Sequence, residues 1–311
     1  MSEADLLVEV ETAPDFEATA RLARQSFDGK DTGFSADYLK WLYQSGFGGD
    51  TTIVSASKAG DKIGQMVLLW QDIRINGQTA KCAQLVDLFV IPAHRSYGVT
   101  RKIYAVAAQV IRARPGSPVI AMPNPKATPL NKRFLKLSAT KTLDIRAGIA
   151  SPFFRGAKAV SLRHDDDRGI DATAGLEDYL AGGGDRLLWT CDALRQRLAN
   201  PKHSYAIHRS GNVCMITSMR TIRSIPVFLI CALFCRQGQS APPGETAALL
   251  WAAAKTHKWP LFVYVGFNTN VDPPGQSLPD RFRPSPMILQ TGLFPDTAEL
   301  SRFEALDFDF A

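Results

Sequence analysis

Asn76-Gly77 separates two strand-like runs, IGQMVLLWQDIRI (63–75) and QTAKCAQLVDLFVI (78–91), and restricts the fold more than any other feature of the chain. A two-residue turn of this kind needs positive φ at both positions, which Asn and Gly tolerate, so the two runs are expected to pair as an antiparallel hairpin. Past Pro92 the apolar period changes from two to three and four, at Ile103, Val106, Ala107, Val110 and Ile111, the repeat of a single helical face. Arg114-Pro115-Gly116 stops that helix. A long hairpin whose second strand feeds directly into a helix calls for a mixed α/β domain.

The other segments of the first half fit the same plan. A strand LLVEVET and helical stretches PDFEATARLARQSF and SADYLKWLYQ precede the hairpin. A short strand SPVIAMPN, a polar helix PLNKRFLKL and a final strand TKTLDIRAGI follow it. Acidic RHDDDRG and glycine-rich AGGGD then break any regular pattern. Beyond them the order recurs without visible identity: helix TCDALRQRLAN, strands HSYAIHRSG, VCMITSMRTIRSI and PVFLICALFC, helix ETAALLWAAAKTH and strand LFVYVGF. The expected organisation is a first domain over 1–155, a linker over 156–185 and a second domain of similar build over 186–311. The proline-rich stretch from Asp272 to Pro286 is expected to be a surface loop.

Charge is unevenly placed. Residues 1–155 hold 20 Lys and Arg against 14 Asp and Glu, whereas 156–311 hold 16 of each. Within 90–146 there are 11 basic residues and Asp144 alone as counterweight, a field that attracts a polyanion. Five cysteines without a CxxC pair argue against a disulfide framework and a structural zinc site. Cys231 and Cys235 flank an apolar strand and are expected in the core, while His203 and His208 are placed on opposite faces of a strand, so no metal site is expected. No apolar run approaches the roughly 20 residues that a bilayer needs, and the acidic start MSEADLLVEV lacks a signal-peptide core. A cytoplasmic protein that does not engage a membrane is the expectation.

The turn PAHRSYGVTRK puts its charge where an anion would sit. The first amides of a helix have no internal acceptor, and the helix dipole favours negative charge there. Arg95 adds a charged donor, Gly98 permits close backbone approach, and Arg101 and Lys102 occupy a first helical turn that disfavours cations unless an anion neutralises them. No GxxxxGK[ST] or GxGxxG is present, so the phosphate loop of ATPases and the dinucleotide fingerprint are excluded.

The stretch VDLFVIPAHRSYGVTRKIY (86–104) resembles the GNAT acyltransferase superfamily, in which a V-x-P strand end is followed by an [RQ]-x-x-G-x-[GA] loop gripping the pyrophosphate of coenzyme A. Arg95, Ser96, Tyr97, Gly98 and Val99 sit on that motif, with Thr100 in place of the last Gly or Ala. MPN (122–124) and NKRFLKLSATK (131–141) look like the family's next strand end and helix. The resemblance implies an α/β (α+β) mixed-sheet fold in two tandem GNAT-like domains. It further implies that Phe89 and Val90 pair with the pantetheine arm, that the amides from Arg95 to Thr100 hold the pyrophosphate, and that Asn124 lies beside the pantetheine. Phe89 and Val90 read equally as core strand residues and Asn124 as a turn residue.

The implied reaction moves an acyl group from acyl-CoA or acetyl-CoA, or from an acyl carrier protein, to the primary amine of a small molecule, an amino sugar among the candidates. Asp87, the one charge in CAQLVDLFVI, is the candidate base. Burial in such a strand tends to bring a carboxylate's pKa toward neutrality, although a purely structural Asp87 fits the same sequence. Phe134 stands where the family's acid, a tyrosine, is usual, leaving Tyr97, Tyr104 or solvent to protonate the departing thiolate. In the second half, QSAPPGET offers no basic residue, its prolines lack amide donors, and Glu245 would repel a phosphate. That domain is therefore expected to serve acceptor binding or an interface. Two other readings remain: a coenzyme A-binding module without catalysis, and an aminoacyl-tRNA-dependent transferase. Nucleic acid is not the expected partner, because few aromatics interleave with the basic residues.

Overall fold

The computed structural model describes residues 6–27, 33–152, 159–163, 171–283 and 287–308. In chain order the first elements are β1 (Leu6–Val10), α1 (Phe16–Ser26), α2 (Ala36–Gln44), β2 (Asp50–Lys58), β3 (Asp61–Ile75), β4 (Gln78–Val90), α3 (Tyr97–Arg112), β5 (Val119–Ala121), α4 (Thr128–Leu135) and β6 (Ser138–Thr142). They are followed by β7 (Asp144–Ile149), β8 (Val160–Arg163), α5 (Glu177–Leu180), β9 (Arg186–Leu187), α6 (Cys191–Leu198), β10 (Tyr205–Ser210), β11 (Val213–Ile222) and β12 (Ile225–Cys235). The last are α7 (Pro243–His257), β13 (Leu261–Asn268), β14 (Gln276–Ser277), β15 (Ile288–Gly292) and β16 (Arg302–Glu304).

Local chemistry accounts for most boundaries. Asn76 and Gly77 take φ of 51° and 78°, closing the β3–β4 turn as its dipeptide requires. Asp15, Ser35, Ser96 and Thr190 cap α1, α2, α3 and α6 by accepting an amide hydrogen bond three residues on. Helix α3 buries Val99, Ile103, Tyr104, Ala107 and Ile111, the face set by its apolar spacing.

The chain divides into two compact units, one comprising Met1–Asp72, Ala80–Lys141 and Ile288–Asp296, the other Ile73–Thr79, Thr142–Met287 and Thr297–Ala311. The first unit's strands run in the order β1-β2-β3-β4-β5-β15-β6, the second's β14-β7-β13-β12-β11-β10-β8. TKTLDIRAGI, expected as one strand closing the first half, is two. β6 stays in the first sheet, while β7 pairs antiparallel with β13 of the second, Ile145 opposite Val265 and Ile149 opposite Leu261. In exchange, β15 from the far end of the sequence pairs with β5, Gln290 opposite Ala121. Units drawn from contacts thus interleave along the chain, whereas the boundaries expected at 155 and 186 are contiguous. The proline-rich stretch is not all loop, because β14 adds to the edge at β7. RHDDDRG lies outside the described residues beyond its first arginine.

Both sheets share one device. β4 and β5 are parallel over Ala83–Leu85 and Val119–Ala121; β12 and β13 are parallel over Phe228–Ile230 and Phe262–Tyr264. Each pairing covers three residues and then stops, and the helix connecting the two strands, α3 or α7, starts beyond the end of the first strand.

Candidate active site

In the first unit, Ala83, Leu85 and Val90 all belong to the core beneath α3, with Ile103, Tyr104 and Ala107. An odd number of positions separates Leu85 from Val90, so strict alternation would turn them to opposite faces. The reversal falls at Asp87, whose φ of 50° departs from strand geometry. Beyond it Phe89 packs on the other face, against Leu22 and Ala23 of α1. This kink ends the pairing of β4 with β5 and leaves between them a cavity of about 210 Å³, lined by Val86, Asp87 and Phe89 on one wall, Met122, Pro123 and Asn124 on the other, and Tyr104 and Asn131.

Asp87 faces the α1–α2 side. Its carboxylate accepts a 2.5 Å hydrogen bond from the hydroxyl of Tyr43 in α2, and that hydroxyl accepts from Gln65 Nε2 of β3 at 3.1 Å. Tyr43 and Gln65 are buried and Asp87 is half-buried. The sequence offered no pointer to Tyr43, which lies 44 residues away.

The Arg95–Thr100 turn is arranged differently from the expectation in one respect. The Arg95 guanidinium, expected to reach an anion, donates from Nε to the Val90 carbonyl at 2.9 Å and from a terminal nitrogen to the Ser26 carbonyl. It braces the end of β4 against the end of α1. Ser96 is the α3 cap, its hydroxyl accepting from the Val99 amide at 3.3 Å, and the Thr100 amide closes the first turn on the Ser96 carbonyl at 3.2 Å. The amides of Tyr97 and Gly98, first and second residues of α3, are beyond reach of any intrahelical acceptor. Two backbone donors and a helix dipole therefore remain at this end. Because α3 already starts at Tyr97, exposed Arg101 and half-buried Lys102 fall in its second turn rather than in the first turn that the sequence suggests.

Not all the charge of 90–146 is available to an anion. Arg114 is held by Asp50 through two hydrogen bonds, 2.8 and 3.2 Å, and lies over the Trp70 ring. Arg146 belongs to the second unit and pairs with Asp144 at 2.9 Å. Arg133 stacks over the Tyr97 ring at 4.7 Å.

Asn124 is a turn residue in this structure, its Oδ1 accepting from the amides of Lys126 and Ala127 ahead of α4, though it also lines the cavity. Of the two candidate tyrosines, Tyr97 is 52% exposed and rests on Phe134, whereas Tyr104 is buried, lines the cavity and stacks on Phe134 at 4.9 Å. The Tyr104 hydroxyl donates to Asn131 Oδ1 at 2.6 Å, and Asn131 Nδ2 donates to Gln290 Oε1 of β15 at 3.0 Å. Burial pushes the Tyr104 phenol well above its ordinary pKa.

The second unit fills the equivalent place with its own chain. Past the β12–β13 pairing, the Leu233 amide donates to Glu304 Oε2 at 2.9 Å and the Leu233 carbonyl accepts from Asn268 Nδ2 at 2.9 Å. Glu304 Oε1 accepts from the Tyr264 hydroxyl, and Arg302 bridges Glu304 and Asp307 at 3.1 Å each. Gly266, with φ of 141°, lets β16 approach so closely that a Cβ there would stand 2.5 Å from the Phe303 carbonyl. At the start of α7, the Glu245 carboxylate accepts from the Asn212 amide at 2.8 Å, which puts a negative charge where α3 keeps free donors.

Cys231 and Cys235 are buried, as expected. His208 is bonded to Ser161 and Thr217, and no group of three or more metal-ligating side chains occurs among the described residues. No helix among them is long and apolar enough to cross a membrane.

Residues 10–134 match the family model of the acetyltransferase (GNAT) domain. No curated protein matches the chain. Among solved structures, a GCN5-related N-acetyltransferase from Kribbella flavida is similar with a TM-score of 0.63 at 12% identity, over 94% of this chain and 72% of that one. One from Anabaena variabilis has a TM-score of 0.61 at 10% identity, over 92% and 72%. A tandem GNAT protein from the clavulanic acid biosynthesis pathway has a TM-score of 0.52 at 11% identity, over 94% of this chain and all of that one. The protein has the fold of two tandem GNAT-like domains. Within that fold, the segment 10–134 is the part similar to the GNAT acetyltransferase domain family.

Proposed function

We propose that the first unit transfers an acyl group from acyl-coenzyme A to the primary amine of a small molecule, with Asp87 as base. The observation that carries this reading is a carboxylate, fixed by Tyr43, at the kink that opens β4 from β5, in the same unit as a helix N-terminus with two unpaired amides. The pantetheine would enter the gap beside Phe89, Val90 and Asn124, with one lone pair of the Val90 carbonyl already taken by Arg95. The diphosphate would sit at the amides of Tyr97 and Gly98, near Arg101 and Lys102. Asp87 takes the proton that masks the amine, the nitrogen–carbon bond forms, and the carbon–sulfur bond breaks. The second amine proton ends on the departing sulfur. An acyl carrier protein presents the same phosphopantetheine arm, and comparing both donors in one assay separates them. The second unit is read as serving acceptor recognition or an interface, because its own cleft and helix start are occupied by Glu304 and Glu245.

Acetyl-CoA at a hundredfold excess over its Kd should stabilise the protein by about 2.7 kcal/mol, and calorimetric titration should saturate at one donor per chain. Gly98→Asp is expected to abolish both signals. An aspartate in the first turn suits the helix dipole, so α3 persists, but it repels a diphosphate. A stabilisation by acetyl-CoA that survives Gly98→Asp would remove the diphosphate from α3.

Tyr104 is the candidate tyrosine that lines the cavity, and its hydroxyl proton is held by Asn131, so it would have to leave that bond to reach the sulfur. Because a thiolate leaves with a pKa of about 8–9 without help and burial makes this phenol a weak acid, Tyr104→Phe should lower kcat by less than about tenfold. Steady-state release of free thiol measures it; a loss of a hundredfold or more would make Tyr104 the obligatory proton donor.

A further inference from the structure

We infer that the amine acceptor of this protein is carried on an apolar, aromatic-compatible body rather than on a sugar. This rests on the amine-acylating reading above and narrows its substrate class. Asp87 is held by Tyr43 of α2, so the base faces the α1–α2 side of the sheet, and the amine has to approach from there. Phe89, on the same side, packs against α1. Around it stand Phe27 and Phe34, with Phe89 meeting Phe34 edge-on at 5.2 Å and Phe27 edge-on at 5.8 Å, while Phe27 and Phe34 stack at 6.4 Å. All three line the cavity that contains Asp87. Phe27 is 41% exposed, so part of this ring cluster is open to solvent.

Several of the polar groups around that cavity are already committed. The Tyr43 hydroxyl both donates and accepts, Asn124 Oδ1 caps a turn, the Tyr104 hydroxyl is given to Asn131, and the Asn131 amide is given to Gln290. The hydroxyls of an amino sugar would lose water on entering and find few partners among the described residues of this unit, which penalises binding. An ammonium on an apolar body finds ring faces that attract a cation, followed by a carboxylate to take its proton.

The test compares 2-phenylethylamine and tryptamine with glucosamine, using the full chain and acetyl-CoA and following thiol release. The aromatic amines should exceed glucosamine in kcat/KM by a hundredfold or more. Phe27→Ala, at a partly exposed position and so compatible with folding, should raise KM for 2-phenylethylamine at least fivefold while leaving KM for acetyl-CoA within twofold. Glucosamine turnover equal to or above that of the aromatic amines overturns the inference and leaves the amine-acylating reading standing. So does a Phe27→Ala effect confined to KM for acetyl-CoA, which would give the rings to the acyl donor. Absence of turnover with every amine, together with no binding of acetyl-CoA, overturns the underlying reading itself.

Discussion

Asp87→Asn is expected to lower kcat/KM for amine acylation by about 10²–10⁴-fold, the range for loss of a positioned general base, with the Kd for acetyl-CoA unchanged within about twofold. Asparagine is the informative replacement because it isolates basicity. Its side-chain carbonyl still accepts from the Tyr43 hydroxyl, and asparagine is among the few residues that adopt a positive φ readily, as the 50° at this position requires. The kink in β4, and with it the gap beside β5, therefore survives. Alanine would confound the result by straining the backbone and leaving Tyr43 without its acceptor. Steady-state kinetics over several amine concentrations, with calorimetric binding of acetyl-CoA on the same sample, distinguishes the outcomes. A kcat/KM within fivefold of the parent would reduce Asp87 to a structural residue that shapes the kink. Loss of donor binding would show that it holds the cleft open.

Arg302→Met is expected to destabilise the second unit by about 3–5 kcal/mol, the cost of removing one partner from a buried ion pair. Arg302 is 3% exposed, spans the carboxylates of Glu304 and Asp307, and lies 4.3 Å from the Phe234 ring centre. Methionine fills the space but leaves two buried carboxylates without their cation. Burial raises the Glu304 pKa from 4.5 to about 7, a shift only partly offset by Arg302 and the Leu233 amide. A folded-state pKa above the unfolded one means that the native protein binds more protons between those values, so the contribution of Glu304 is largest below pH 4.5 and is lost as pH rises through 7. Glu304→Gln removes this titration, and the stability of the parent relative to that variant should decline from pH 4.5 to 7. His208 and His257, whose burial lowers their pKa values to about 3 and about 4, oppose this trend. Their contributions are present above pH 6.5 and fade as pH falls, equally in both proteins, so they cancel in the difference. Urea unfolding at stepped pH measures both quantities. An Arg302→Met cost below 1 kcal/mol would mean that solvent reaches the cluster.

What could be read in advance followed the range of the interactions. The Asn76-Gly77 turn and the apolar face of α3 depend on neighbours within a few positions, and both stand where their residues place them. The same holds for the charge at the start of α7, legible in Glu245. Arg95 was legible as a cation beside a helix start but not as a brace, because its acceptors are the carbonyls of Val90 and of Ser26, the latter 69 residues away. Asn124 was legible in sequence as a turn residue, the alternative to ligand contact, and the turn bonds are present. The TKTLDIRAGI segment misled because its two strands carry no mark of which sheet will take them, and strand pairing is decided by edges formed elsewhere in the chain.

By itself, then, the sequence determined the local course of the backbone: a hairpin, a helix opening beside it with free amides, and a repeat of that order lacking the same chemistry. Those are outcomes of dihedral preference, capping and periodicity, which act over a turn or two. Only the tertiary structure decided that Tyr43 meets Asp87, that three phenylalanines gather on the side of the base, and that Glu304 occupies the second cleft. Each of these brings together groups tens of residues apart, and such meetings are selected by the packing of whole sheets and helices, not by the preferences of the residues that meet.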